Sequence, residues 1–241
     1  MDSLHLTAAV GPGCPNHKND VTGVQTFLNR SGALTPQSLP LVVDGSPGPK
    51  TFAAIKDFQT SWTPHRDGKV DRHGTTVQKL VAIGNEFRLI VATVNGEAAN
   101  SSTVAQKAIL CVIMNRVGKR EWARYHTVSG IIQHTGFDAY RQKIAPYTHA
   151  FQYITARDAR KLNGRLETMI KALLPIYKKK QADITSGAQL YYSPKAQAAL
   201  HKKFPKSYTK DVPADWNFSV LQECTVPGLG ASDDFKFFKY K

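Results

Sequence analysis

Residues Phe87 to Asn100, FRLIVATVNGEAAN, bring a carboxylate to the end of an apolar helical pattern. Phe87, Ile90, Val91 and Val94 recur at the spacing of one buried helical stripe, and Glu97 falls three residues later on that same stripe. A carboxyl aimed inward or into a cleft loses hydration, and desolvation disfavours its charged form. Such a group can stay protonated near neutrality and act as a general acid. The plainer alternative is an exposed glutamate in a loop, after a helix that stops at Gly96.

Side chains that could assist lie further along. Asn115, near the end of a second helical pattern, could reach Glu97 or cap its own helix. Phe137, Tyr140, Tyr147, Tyr191 and Tyr192 could supply the flat apolar faces, with polar rims, that saccharide clefts use. A second carboxylate is scarce: between Glu97 and Asp138 the only acid is Glu121, beside Lys119 and Arg120 in a turn expected to be exposed. Asp138 is therefore the candidate for a second carboxylate. His126, His134 and His149 share one region but have no recognisable zinc-ligand spacing, so neither a metal nor another cofactor is expected. Cys14, Cys111 and Cys224 are sparse, odd in number and without CxxC spacing; this argues against a disulfide framework and makes Cys111, inside AILCVIM, a buried inert thiol.

The elements that must hold these groups fall in two parts. Over residues 8–82 three short helices are expected. Asp20 can cap the first, with Val21, Val24, Phe27 and Leu28 as its buried face and a stop near Ser31-Gly32. The second begins at Pro49 after the VDGSPG turn and buries Phe52, Ile55 and Phe58. Val70-Asp71 with Gly74-Thr75 loosely echoes the Val43-Asp44 turn and starts the third. VAIGNE, residues 81–86, reads as a short junction. The second part, residues 85–241, begins with the Glu97 helix. A helix with Ala105, Ile109, Val112 and Arg116 on one face follows, then an irregular aromatic stretch from Trp122 to Gln152, then a helix over 157–180 with Leu162 and Leu166 inside. A short strand at Tyr191-Tyr192 and a lysine-guarded edge strand in DFKFFKYK complete it.

Charge adds a bias. Residues 1–85 hold 8 Lys and Arg against 6 Asp, whereas residues 86–241 hold 24 against 12 Asp and Glu, so the second part carries most of the net +14. Such a field favours an anionic envelope or another polyanion. The aromatic-interleaved basic patch of a nucleic-acid module is not evident, so nucleic acid is not expected as a partner. No apolar run is long enough for stable membrane insertion, and the amino terminus has no basic region followed by an apolar core, so synthesis without a Sec-type address is expected.

Two resemblances sharpen this reading. Residues from about Asp20 to Leu80, with VQTFLN, then VDGSPGPKTFAAIKDFQ, then GKVDRHGTT, resemble the peptidoglycan-binding domain of many wall-lytic enzymes. Residues 87–241 resemble the SleB-type cell-wall hydrolase family, which also occurs in phage lysins. The similarity lies in Gly96-Glu97-Ala98, Gln106, Asn115-Arg116, Gly136-Phe137 with Tyr140, Gly187-Ala188 with Tyr191-Tyr192-Ser193-Pro194, and Trp216 with the Phe-rich end. The chain departs from that pattern at Asn100-Ser101-Ser102, where a second acid is common, and at Asp233-Asp234, where Gly-His is usual.

The resemblances imply a two-domain fold: a small all-α three-helix peptidoglycan-binding domain and a mainly α, lysozyme-like catalytic domain with a few short strands. They imply cleavage of the β-1,4 bond between N-acetylmuramic acid and N-acetylglucosamine, with Glu97 as general acid and base. A lytic transglycosylase needs one carboxylate, whereas a muramidase needs a second, for which Asp138 stands. An amidase, a secreted antibacterial effector and a non-enzymatic wall-binding protein are the competing classes. A monomeric, phage endolysin-like protein is expected, made in the host cytoplasm and acting on peptidoglycan at the wall.

Overall fold

The computed structural model describes residues 2–241. Among them the chain is mostly helical, with α1 (Lys18–Arg30), α2 (Pro49–Trp62), α3 (Thr75–Ala98), α4 (Thr103–Arg116), α5 (Val128–His134), α6 (Asp138–Gln142), α7 (Ala145–Thr155), α8 (Gly164–Tyr177) and α9 (Pro194–Lys203). The strands are β1 (Leu190–Tyr192), β2 (Leu221–Cys224) and β3 (Lys236–Tyr240), in one antiparallel sheet of order β1-β3-β2. No helix among the described residues is long and apolar enough to cross a membrane.

The chain forms two compact units that are not consecutive in sequence. One holds residues 1–96 and 143–170, the other residues 97–142 and 171–241. Residues 8–82 thus share a unit with α7 and the start of α8. Residues 81–86 are also no junction: α3 runs unbroken from Thr75 to Ala98. Gly84 is what the packing requires there, because a Cβ at that position would lie 3.0 Å from the Phe27 ring on α1.

In the first unit Val21, Val24, Leu28, Ala54, Ile55, Phe58, Val70 and Leu80 form a closed core. Two glutamines from helices α1 and α2 staple its turns. Gln25 Oε1 accepts from the Asp44 and Gly45 amides (3.1 and 2.9 Å), and its Nε2 donates to Asp44 Oδ1 (3.0 Å). Gln59 repeats the device: Oε1 accepts from Gly68 N–H (2.8 Å), while Nε2 donates to Asp67 Oδ1 (2.8 Å) and Lys69 O (3.0 Å). Gly45 and Gly68 both have φ +75°, a left-handed conformation that glycine adopts without strain. The internal repeat therefore aligns Gln25 and Asp44-Gly45 with Gln59 and Asp67-Gly68, not Val43-Asp44 with Val70-Asp71. Asp20 caps nothing on α1; it accepts from Thr7 N–H and Ala8 N–H (2.9 and 2.8 Å) and ties down the amino-terminal segment.

Residues 143–170 are bound to this unit through buried polar groups. Asn29 donates to the carbonyls of Leu41 and Arg157 (2.9 and 2.8 Å), and Arg157 Nη1 donates back to Asn29 O (2.9 Å). Arg157, with no exposed side-chain surface, grips both carboxylate oxygens of Glu167 at 2.7 Å. The helix starts at Gly164 and not at residue 157, with Asn163 Oδ1 accepting from Leu166 N–H (3.1 Å) as its cap; Leu162, expected inside, is 42% exposed.

The stretch 122–152, expected to be irregular, carries α5 and α6 in the second unit and most of α7 in the first, α5 being capped by the Thr127 hydroxyl accepting from Gly130 N–H (3.0 Å). The carboxy-terminal strand is also a correction: β3 is the centre of the sheet and not its edge, pairing Tyr191 with Phe237 on one side and Glu223 with Phe238 on the other. Consecutive side chains on a strand point to opposite faces, and both Phe237 and Phe238 are buried.

Candidate active site

The end of α3 is held in place before any chemistry is considered. Gln106 on α4 is buried and donates to Ala98 O (3.1 Å), which satisfies a carbonyl of the last helical turn. Ser102 caps α4, its hydroxyl accepting from Ala105 N–H (3.2 Å). Asp233 fixes that cap from across the unit, accepting from Ser102 N–H and Oγ (2.6 and 2.7 Å). Asp234 does the same for α9, accepting from Ser193 Oγ and Lys195 N–H (2.5 and 2.9 Å). Asp233 and Asp234, just ahead of β3, thus fasten that segment to the starts of α4 and α9.

Glu97 emerges partly accessible at this fixed end. Its Oε1 accepts from Ala139 N–H in the first turn of α6 at 2.8 Å, and the Tyr191 hydroxyl favours the charged form of the carboxyl. Burial raises its pKa above the ordinary carboxylate value, and the charge of Asp138 adds to the rise; the Ala139 amide, the Tyr191 hydroxyl and the Arg116 charge oppose it without cancelling it. The shift is toward the protonated form, and the carboxylate, once formed, already has the Ala139 amide facing it. Tyr191 stays a neutral donor, since burial and the neighbouring Glu97 push its pKa well above the ordinary value.

The other site candidates separate. Asp138 follows Phe137 into α6 with a 67% exposed side chain, 3.5 Å from Arg141 and within electrostatic range of Glu97. Phe137 is buried and packs on Tyr191 with ring centroids 6.3 Å apart, so it lies under the site as packing. Tyr140 is half-buried on α6. Tyr191 and Tyr192 part company because they are adjacent on β1: Tyr191 faces Phe137, Phe235 and Phe237, whereas Tyr192 stacks on Phe238 and meets Trp216 edge-on on the other side of the sheet. Asn115 neither touches Glu97 nor caps a helix; it donates to Asp183 Oδ2 and Ala188 O (both 3.0 Å), bracing the loop that leads into β1. Tyr147 belongs to the first unit, buried on α7 with the Lys143 ammonium 4.7 Å from its ring centre.

Sequence reasoning passed over Arg116 as a site residue. Nearly buried, it donates to Gln189 O (2.6 Å) and to Thr135 O and Oγ1 (both 2.8 Å), with Trp122 and Phe137 rings 4.6 and 4.9 Å from its guanidinium carbon. Burial lowers its pKa to about 10, which still leaves it cationic at neutral pH. The available signal was an arginine closing the apolar face of α4, where a neutral residue would be expected. Cys111 is inert as expected, burial pushing its thiol up to about 12. Among the described residues no three His, Cys, Asp or Glu side chains gather into a metal-binding group. His134 instead stacks on Tyr125, centroids 5.1 Å apart.

The first unit carries a groove of about 480 Å³ with an apolar rim at Leu39 and Val42 and polar groups from Asp44 and Lys50, all within the segment that resembles a wall-binding module. The comparisons bear on that segment. The family model "Putative peptidoglycan binding domain" matches residues 17–77. Neither a curated protein nor a solved structure matches the chain. Residues 17–77 therefore carry a peptidoglycan-binding domain, which supports a cell-wall-binding module and peptidoglycan as a partner of this chain.

Proposed function

We propose that this protein degrades peptidoglycan, cleaving the β-1,4 bond between N-acetylmuramic acid and N-acetylglucosamine as a lytic transglycosylase. The observation that carries the reading is Glu97: a partly accessible carboxyl, its pKa raised by burial, held by Ala139 N–H, in a chain with a peptidoglycan-binding domain. In the first half of the reaction Glu97 gives its proton to the glycosidic oxygen as the bond from C1 breaks. The carboxylate left behind then takes the proton of the C6 hydroxyl while O6 attacks C1 and closes the 1,6-anhydro ring. One carboxyl serves both halves. Asp138, close enough to influence Glu97 and open to solvent, favours a second reading in which it assists a water molecule and the product is a reducing muramic acid.

In this reading the protein is a phage endolysin-like lytic enzyme that reaches the wall from the host cytoplasm, and its net positive charge suits passage along an anionic envelope. Dye release from labelled peptidoglycan, with mass spectrometry of the products, tests the chemistry. Glu97→Gln is expected to lose about a thousandfold or more in rate while still sedimenting with peptidoglycan. Near-full activity in that variant would end the assignment. Anhydro-muropeptides support the transglycosylase, and reducing muramic acid the muramidase. Freed stem peptides would overturn both.

A further inference from the structure

Between Asp183 and Asp211 the chain holds five lysines, Lys195, Lys202, Lys203, Lys206 and Lys210, and no acid. All five are exposed, and none of the ion pairs among the described residues includes one of them. The same stretch leaves large apolar side chains in solvent: Leu200, Phe204 and Tyr208 are 37%, 46% and 39% exposed. Side chains so placed add little to a core, and an exposed apolar patch within a ring of charge marks a surface that meets a partner.

The fold builds this patch. Leu200 and Phe204 are one helical turn apart at the end of α9, where Phe204 N–H donates to Leu200 O (2.8 Å), and Tyr208 N–H repeats the bond to Phe204 O (3.1 Å). The three side chains therefore follow one another at four-residue steps. Two clamps hold the turn after the helix: His201 Nδ1 lies 2.6 Å from Tyr208 O, and the buried Gln197 donates from Nε2 to Thr209 O (2.8 Å) and Val212 O (3.1 Å). The Phe204 and Tyr208 ring centroids are 6.3 Å apart at an interplanar angle of 41°, and the Lys203 ammonium lies over the Phe204 ring, 5.2 Å from its centre.

That ring arrangement discriminates among anionic partners. Nucleic-acid bases stack on an open aromatic face, whereas Phe204 has a cation over its ring and a tilted neighbour beside it. A short apolar ridge among lysines suits instead the boundary between acyl chains and anionic headgroups, where apolar side chains enter and lysine stems keep their charges at phosphate level. We propose that residues 195–210 are a docking surface for an anionic phospholipid bilayer, held by the lysines and by shallow entry of Leu200, Phe204 and Tyr208. A ridge of this size gives reversible, peripheral attachment. Such docking does not depend on Glu97 cleaving glycan strands.

Co-sedimentation of the full chain with vesicles, in the absence of peptidoglycan, tests this. Vesicles of phosphatidylcholine and phosphatidylglycerol in equal parts should bind the protein, and pure phosphatidylcholine vesicles should bind it at least about tenfold more weakly. The triple variant Lys202→Gln, Lys203→Gln, Lys206→Gln is expected to weaken binding by about a hundredfold, or about fivefold per lysine. Lys119→Gln, Arg120→Gln, Arg124→Gln, an equal charge loss elsewhere in the same unit, should weaken it by less than about fivefold in all. Leu200→Ser with Phe204→Ser keeps every charge and should cost about tenfold. No sedimentation with the phosphatidylglycerol vesicles, or an equal loss in the two triple variants, overturns the proposal. So does a serine pair that sediments like wild type, since charge alone would then explain the attraction, and so does tighter binding to a single-stranded oligonucleotide or inorganic polyphosphate than to the vesicles. Should the serine pair fail to fold, Phe204→Ala takes its place: a loss of about fivefold supports apolar entry and no loss refutes it. Glu97→Gln should sediment with vesicles as wild type does whether or not it digests peptidoglycan, so the two readings fail separately.

Discussion

In the first unit, Arg157 and Glu167 meet through two 2.7 Å hydrogen bonds, Asp2 bridges Arg30 and Arg88 at 2.7 and 2.8 Å, and Asp158 is gripped by Arg160. In the second unit, Arg116 has neutral oxygen partners and aromatic faces, and Glu97 has a backbone amide. The pKa directions follow the partners. Hydrogen bonds from Arg160 hold Asp158 down to about 2, and those from Arg88 lower Asp2, whereas burial raises Glu97. An ion pair serves a fold best when its ionisation never changes in the working range. A proton donor must instead sit where its charged and neutral forms are close in free energy, which is why perturbed, unpaired carboxyls mark sites more often than paired ones do.

The largest effect that would test this contrast is in the first unit. Glu167→Ala strands Arg157 without its carboxylate in a fully buried position and removes a partner of the Tyr153 hydroxyl. A loss of about 3–5 kcal/mol is expected, read by chemical denaturation, with the double variant Arg157→Met, Glu167→Leu losing much less. A single variant as stable as wild type would show that the pair is not structural. Gln59→Leu should cost about 1–3 kcal/mol, since it leaves the Gly68 amide and the Lys69 carbonyl without their partner at similar side-chain volume. Gln25→Leu removes the matching staple and should cost a similar amount; a large difference between the two would argue against the repeat alignment drawn from them.

How much of this could be read beforehand varies with the range of the interaction. The start of α2 at Pro49 and the end of α1 near Ser31-Gly32 follow from local signals, whereas α1 starts at Lys18, ahead of the Asp20 expected to cap it. The inward phase of Glu97 was legible for the same reason: one helical stripe carries the information. Residues 81–86 were misread because Gly84, a breaker in isolation, is needed for close approach to Phe27. Arg157 reads as the first residue of a helix over 157–180, because nothing within a few residues announces that Glu167 and the Asn29 carbonyl wait for it. β3 looked like an edge because its lysines are local, while its partners Tyr191 and Glu223 lie tens of residues upstream or on an unsuspected strand. The two tyrosines of β1 were inseparable until the sheet gave each a face.

The smallest expected effect is the one that most directly opposes the two units, because its sign differs between them. For a carboxyl whose folded pKa is raised, the folded state holds its proton more tightly than the unfolded chain does. The unfolded state then binds fewer protons in the window above the ordinary value of 4.5, and stability falls as pH rises through that window. Asp158 behaves oppositely: its contribution is present above the ordinary 3.8 and is lost as pH falls toward 2. Glu97→Gln removes the penalty of burying a carboxylate and keeps an oxygen for the Ala139 amide, so at pH 7.5 it should melt about 2 °C higher than wild type. At pH 4 the two proteins should melt together, because Glu97 is then protonated in both folded and unfolded chains to a large extent. Calorimetry at the two pH values separates the cases: a variant less stable than wild type at pH 7.5 would mean that the Glu97 anion is a structural partner, as the carboxylates of the first unit are, and not a group held at a cost to the fold for its proton.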